Sequence, residues 1–250
     1  MRLALIADVH ANLPALEAVL EALSGLRFDR LLCLGDLVGY NAQPSECVAR
    51  VRAAAHDTVA GNHDVDVTLA RPAAGTNAAA RVAQEWTRAR LAPDDLAWLA
   101  ALPRIVTLPG RAVAVHGCYL NDTHVSGYVT GTMLEANLLA VESKPAWPRV
   151  AFCGHTHVPM CGWLEAGGAV EARLDGQTVR WPEDARAVLV NPGAVGQPRD
   201  GDPRAAFALI DLEARALELR RAAYDVERAA RAVVDAGLPV ELAERLREGR

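Results

Sequence analysis

An α/β fold is predicted by three features of the chain. Short apolar runs alternate with stretches of helical periodicity, each run ends in a cluster of polar residues, and from Arg104 onward short strands dominate. Strands alternating with helices imply parallel βαβ crossovers, and ligands of such folds gather at the carboxyl ends of the strands.

The first strand is "LALIA" (residues 3–7), apolar throughout and ending in "DVHAN". Leu13, Leu16, Val19, Leu20 and Leu23 then recur at helical spacing, with Asn12 as N-cap and Pro14 in the first turn. "RLLCL" (30–34) is the next strand, "GDLVGYN" (35–41) a loop, and "PSECVARVRAAA" (44–55) a helix opened by Pro44. "DTVA" (57–60) is a third strand and runs into the loop "GNHD" (61–64). Helices follow over 76–91 and 93–102, the second with an acidic first turn. Strands are expected over 104–108, 112–117, 149–157, 169–174, 187–193, 205–212 and 216–222, the last two as a hairpin turning near Glu213 and Ala214. Residues 118–132 show the least pattern and read as a surface loop. The tail, 225–250, reads as two short amphipathic helices separated by "GLP" (237–239). One domain over residues 1–250 is the expectation.

Composition excludes several classes of function. The chain is 51% apolar, as in a water-soluble globular protein, and has no apolar run of membrane-spanning length. A net charge of −5 leaves no electrostatic footprint for duplex nucleic acid or an anionic membrane. Met1 leads directly into strand-like sequence, so a cytoplasmic location is expected. The cysteines number five, an odd count, and form no CxxC pair, which argues for buried thiols rather than a disulfide framework or structural zinc. A regulatory or dimer-forming tail, and with it a homo-oligomer, is left open.

The strand ends carry the chemistry: Asp8 and His10, then Asp36, then Asn62 and His63, then His116, then His155 and His157. Residues at i and i+2 of an extended segment point the same way, so Asp8 with His10, and His155 with His157, are expected to converge in pairs. Carboxylates, an amide oxygen and imidazoles form a mixed O/N donor set. It suits Mn²⁺ first, and Fe²⁺, Ni²⁺, Co²⁺ or Zn²⁺, better than Mg²⁺ or Ca²⁺. These donors exceed the needs of one ion and match two ions sharing a carboxylate, the arrangement in which ions about 3.5–4 Å apart drive phosphoester hydrolysis. His56 and His124 match no motif and read as surface loop residues.

"DVH" (8–10), "GDLVG" (35–39), "GNHD" (61–64), "VHG" (115–117) and "GHTH" (154–157), in that order, resemble the calcineurin-like metallophosphoesterase superfamily. The resemblance implies its metallo-dependent phosphatase fold, a four-layer αββα sandwich with two packed mixed β-sheets. It further implies one ion on Asp8, His10 and His157, another on Asn62, His116 and His155, and Asp36 bridging them. His63 would contact the phosphate and act as general acid, with Asp64 orienting its imidazole, while a metal-bridging hydroxide attacks phosphorus in line.

Protein Ser/Thr phosphatases and dinucleoside polyphosphatases of that superfamily extend the second motif to "GDxVDRG". Here "GD" leads into "LVGYN", so the phosphate-gripping arginine is absent. The pattern is more similar to the compact bacterial and archaeal phosphodiesterases, which implies a small phosphoester as substrate. Tyr40, Asn191 and Arg199 are candidates for its contacts. A dinucleoside polyphosphatase, a protein phosphatase and a non-catalytic metal-binding scaffold are the rival readings; the complete ligand set speaks against the last.

Overall fold

The computed structural model describes residues 1–70, 77–174 and 178–250. In chain order its elements are β1 (Arg2–Ile6), α1 (Leu13–Ser24), β2 (Arg30–Cys33), α2 (Pro44–Ala54), β3 (Asp57–Thr58), α3 (Asn62–Leu69), α4 (Ala78–Arg88) and α5 (Pro93–Ala100). There follow β4 (Val106–Leu108), β5 (Ala112–Ala114), α6 (Gly131–Glu142), β6 (Val150–Phe152), β7 (Met160–Glu165), β8 (Gly168–Glu171) and β9 (Thr178–Arg180). The chain ends with β10 (Ala187–Asn191), β11 (Ala205–Asp211), β12 (Ala216–Ala222), α7 (Val226–Asp235) and α8 (Val240–Glu248).

The strands form two six-stranded sheets, ordered β3-β2-β1-β11-β12-β9 and β4-β5-β6-β10-β7-β8. Both are mixed: β1, β2 and β3 run parallel in the first, and β5, β6 and β10 in the second, with antiparallel strands at their flanks. Strand alternation explains the layering. Leu3 and Leu5 of β1 face the second sheet and meet Phe152, Val188 and Val190, whereas Ala4 and Ile6 face Leu16, Val19 and Val48 of α1 and α2. The outer face of the second sheet, with Ala151 and Leu189, is covered by Leu134, Leu138 and Val141 of α6. The result is the expected four-layer αββα sandwich, and the strands read as unbroken apolar runs because both of their faces are buried.

Several elements differ from the sequence reading. Residues 61–64 are not wholly loop, since Asn62 begins α3, whose N-cap Gly61 donates its N–H to Asp64 Oδ2 (3.0 Å). Thr76, the first residue of the expected 76–91 helix, lies outside the described residues; the helix runs as α4 and 89–91 leave it in a turn. The 118–132 segment is not simply surface loop. Cys118, Tyr119, Val125 and Val129 are buried, and α6 starts at Gly131, with an apolar stripe at Leu134, Leu138 and Val141 buried against the second sheet. His124 is likewise buried, its Nδ1 against the Cys118 carbonyl. β7 and β9 were also unanticipated. The tail forms the expected helices, and its apolar faces are spent within the chain: Ala230, Val233, Leu242 and Leu246 pack with Ala80 and Ala83 of α4 and with Tyr40. All five cysteines are buried free thiols. No helix among the described residues is long and apolar enough to cross a membrane.

Candidate metal centre

The loops leaving the parallel strands of both sheets meet at one end of the sandwich. The loop after β1 zips onto the loop after β2 through Asp8 N–H to the Gly35 carbonyl (3.0 Å), His10 N–H to Asp36 O (2.9 Å) and Ala11 N–H to Leu37 O (2.8 Å). From the second sheet, the loop after β6 joins that after β5, with Gly154 N–H donating to His116 O at 2.8 Å.

These bonds impose an unusual backbone. Asp8, His10, Asp36, His155 and His157 all have positive φ, between 46° and 67°. Left-handed residues other than glycine are strained and persist where surrounding contacts over-determine them. The alternation expected of extended "DVH" and "HTH" segments is therefore incorrect. Asp8 and His10 do converge, but through a left-handed turn. Gly61 permits the closest approach of two loops, since a Cβ there would lie 2.1 Å from Asp36 Oδ1. Gly39 does the same beside His63, where a Cβ would lie 2.5 Å from Nδ1.

Two groups of side chains with inward-facing ligand atoms result: Asp8, His10, Asp36 and His157, and Asp36, His116 and His155. Asp36 belongs to both. Its Oδ1 accepts from the His63 backbone N–H at 2.8 Å, and its Oδ2 lies 3.6 Å from His10 Nε2 and 3.2 Å from His116 Nε2. His157 Nε2 is 3.3 Å from Asp8 Oδ1. Asn62 presents a buried Oδ1 with no hydrogen-bond partner, an oxygen donor that a cation would satisfy. His155 and His157 thus fall in different groups.

Tautomers sharpen the fit to a metal. Nδ1 of His10, His116 and His157 faces the carbonyl of Val38 (3.1 Å), Leu34 (2.7 Å) and Gln197 (2.5 Å), respectively. A carbonyl only accepts, so each Nδ1 carries a proton, and in the neutral ring it is Nε2 that keeps the lone pair, the orientation metal-binding histidines use. Nε2 of His10 and of His157 are then 3.1 Å apart with lone pairs opposed, a contact that calls for a cation between them. His116 Nε2 makes no aligned hydrogen bond and instead pairs with Asp36 Oδ2 by charge, 3.2 Å away.

The electrostatics agree. Burial holds His10, His63 and His157 below the usual histidine range, and burial together with His116 pushes His155 down to about 3. Burial, partly opposed by His116, lifts Asp8 to about 7, the mark of a carboxylate short of positive charge. Burial also works against ionisation of Asp36, but His116 and His63 outweigh it and hold the group well below its ordinary value. His116 is the exception among the imidazoles: burial would lower it, yet Asp36 raises it to about 9. Neutral imidazoles and buried carboxylates are a donor set ready for divalent ions.

Around this cluster the remaining candidates divide. His63 packs against Tyr40 (ring centroids 4.5 Å) and His10 (4.9 Å). Asp64, expected to orient the His63 imidazole, does not reach it. Its Oδ1 accepts from Leu37 N–H (2.9 Å) and Val38 N–H (3.3 Å) and its Oδ2 from Gly61 N–H (3.0 Å), so it braces the loop carrying Asp36. The group beside His63 is instead Gln84 of α4, whose Nε2 lies 3.5 Å from His63 Nδ1 and donates to Asp66 Oδ2 at 3.1 Å. A carboxylate only accepts, so Asp66 turns the amide nitrogen inward, His63 Nδ1 becomes the acceptor, and the ring proton resides on Nε2. Gln84 was missed from the sequence, although a Gln on the buried, otherwise alanine-rich face of α4 is a signal.

Asn191, expected at the substrate, is committed elsewhere. Its Nδ2 donates to Gly154 O (2.7 Å) and Thr156 Oγ1 (2.9 Å), and its Oδ1 accepts from Gly193 N–H (2.9 Å), which makes it a strut for the "GHTH" loop. Arg199 donates to Gln197 Oε1 (3.1 Å) and Tyr40 OH (3.4 Å), and its charge reaches Asp8, His10, His63 and His157. Tyr40 and Arg199 line one cavity with Tyr128, which stacks on His155.

Residues 1–215 match the Calcineurin-like phosphoesterase superfamily domain. Among curated proteins the chain is similar to the uncharacterized protein MJ0912 of Methanocaldococcus jannaschii, 32% identical over 99% of this chain and 98% of that protein. Among solved structures it is similar to a metallophosphoesterase from Sphaerobacter thermophilus, with 35% identity, a TM-score of 0.84, and 100% and 99% of the two chains covered. The hypothetical protein PH1004 from Pyrococcus horikoshii OT3 shares the fold at 19% identity, with a TM-score of 0.78 over 100% and 98% of the chains.

Proposed function

The chain belongs to the calcineurin-like phosphoesterase superfamily, and from that premise we propose that it hydrolyses phosphodiesters at a pair of divalent transition-metal ions. The observation that carries this reading is the pair of buried ligand groups sharing Asp36. Asp8, His10 and His157 would hold one ion, Asn62, His116 and His155 the other, with Asp36 between them. The mixed donors favour Mn²⁺, with Fe, Ni, Co and Zn as alternatives. Bound there, such ions stabilise charge on the phosphoryl oxygens and lower the pKa of the attacking water.

The protein's own groups supply the rest. Arg199, held by Gln197 and Tyr40, offers the cation that binds the phosphate, in place of the arginine that "GDxVDRG" would provide. A single guanidinium suits the single negative charge of a phosphodiester. His63 offers its Nε2–H to the leaving oxygen and, where the bound phosphoester's charge restores its second ring proton, acts as general acid from the imidazolium while attack proceeds in line. Asp64 and Asn191 act at one remove by holding the loops that carry Asp36 and His155. A cytoplasmic location is part of the same reading.

The test is an assay of metal-free protein with bis(p-nitrophenyl) phosphate and p-nitrophenyl phosphate, adding Mn²⁺, Fe²⁺, Ni²⁺, Co²⁺ or Zn²⁺ in turn. Turnover of the diester exceeding that of the monoester is expected. A monoester preference overturns the diester assignment, and no turnover with any metal or ester overturns the enzyme itself.

A further inference from the structure

The contact between Gln84 Nε2 and His63 Nδ1 spans 3.5 Å, the outer limit of a hydrogen bond, so it survives only while α4 is held close to α3. A short helix such as α4, with eleven residues, owes its stability to tertiary packing of one face rather than to propensity. The apolar face of α4 packs on the C-terminal pair α7 and α8. That pair lies beyond residue 215, where the match to the superfamily domain ends.

The hold is made at several points. Ala79, Ala80 and Ala83 give α4 a face without bulk, and Val233, Leu242 and Leu246 close on it. Gln84 follows Ala83 directly and, one turn on from Ala80, borders that face. Trp86 Nε1 donates to the Ala236 carbonyl, 2.9 Å away, and so satisfies a group that the end of α7 leaves free. Arg247 pairs with Glu227 through bonds of 2.8 and 2.9 Å, which joins α8 to α7. The end of α8 is seated as well: Gly201 N–H donates to Gly249 O at 2.9 Å, and a Cβ on Gly249 would lie 2.8 Å from the Asp202 backbone. Tyr40, whose ring packs against that of His63, belongs to the same cluster. Among the described residues, no hydrogen bond or ion pair joins α7 or α8 to the two ligand groups.

We infer that α7 and α8 form a positioning element for His63. They hold α4 against α3 so that Gln84 keeps the His63 ring in place with a proton on Nε2, and Trp86 is the positioning residue through which the tail grips α4. The ligand groups are set by the loops between the two sheets, whereas the proton donor is oriented from outside by the tail. The two are therefore separable. Loosening the tail leaves the metal centre whole and impairs protonation of the leaving oxygen. This inference rests on the role that the phosphoesterase reading gives to His63.

Two diesters separate proton donation from metal catalysis: diphenyl phosphate, whose phenoxide leaves poorly, and bis(p-nitrophenyl) phosphate, whose nitrophenoxide leaves with little need of a proton. Trp86→Phe, which keeps a ring and removes the N–H, is tested in the Mn²⁺-reconstituted full chain. It is expected to lower kcat about 3–10-fold on the first ester and less than about twofold on the second, with KM and calorimetric Mn²⁺ affinity unchanged within about twofold. Leu242→Ala, on α8, should show the same dependence on leaving group, its loss of stability being measured by denaturant unfolding. In the Gln84→Leu background either change should add less than about twofold, because the contact it supports is already gone. Equal losses on both esters, or full multiplication of effects in that background, overturns the positioning role and leaves the tail as packing. Ring ¹⁵N spectra of His63 in the Zn²⁺-loaded full chain read the same contact without turnover: Trp86→Phe should shift Nδ1 away from the single acceptor form, and unchanged signals overturn the inference. If neither ester is hydrolysed, the hydrolase reading falls and the ¹⁵N spectra alone decide whether the tail positions His63.

Discussion

His63 and His116 show how two buried imidazoles in one cluster take opposite roles. The His63 backbone N–H, not its ring, holds Asp36 Oδ1, so His63→Ala keeps the carboxylate in place. That variant is expected to bind metal within a few fold of the parent, by calorimetry, while turnover of diesters with poor leaving groups falls by about 10²–10⁴. Gln84→Leu, which frees the tautomer of His63 without removing it, should lower kcat less and leave KM nearly unchanged, with an altered pH profile. His116 faces a carboxylate that lifts it to about 9, so its Nε2 is protonated at pH 8 in the metal-free protein. Metal requires the deprotonated ring. Binding at pH 8 should therefore release about one proton from this residue, and apparent affinity should rise as pH climbs from 7 toward 9. Calorimetry in buffers of different ionisation enthalpy measures the release, and His116→Ala should reduce it by about one proton.

At the scale of elements, the site depends on loops forced into close contact. Gly61 sits between β3 and α3 with Asp36 against it, and no side chain fits. Gly61→Ala is expected to destabilise the fold by about 1–3 kcal/mol, as overpacking does, and to displace Asp36 from both ligand groups. Denaturant unfolding and metal titration check the two effects; full metal affinity in this variant would show that the loops can part without loss of the centre. The six residues of the two ligand groups were legible in the sequence because each interrupts or follows an apolar strand with a polar side chain that a core would not accept. The carbonyls of Leu34, Val38 and Gln197 that set the tautomers were not, since any residue supplies a carbonyl and only the loop path brings it to an imidazole. Left-handed Asp8, His10, His155 and His157 were hidden for a related reason: none is glycine, so nothing local announces the conformation that neighbouring loops impose.

At the scale of the whole molecule, the metal centre straddles the seam between two sheets. Asp8, His10 and Asp36 come from one, and His116, His155 and His157 from the other. Packing between the sheets therefore sets the distance between ligands. Phe152, wholly buried at that seam, is two residues before Gly154. Phe152→Ala should cost about 3–5 kcal/mol of stability. It should also weaken metal binding although it touches no ligand; a variant that loses stability while keeping full affinity would uncouple seam and centre. The sequence by itself determined the α/β class, the alternation that buries both strand faces, and the identity of the donors, because periodicity and side-chain chemistry are local properties. Which donors share Asp36, why Gln84 rather than Asp64 stands beside His63, and how the C-terminal helices come to hold α4 were decided only by tertiary structure. Each depends on contacts between residues far apart in the chain, and no local pattern encodes the path that brings them together.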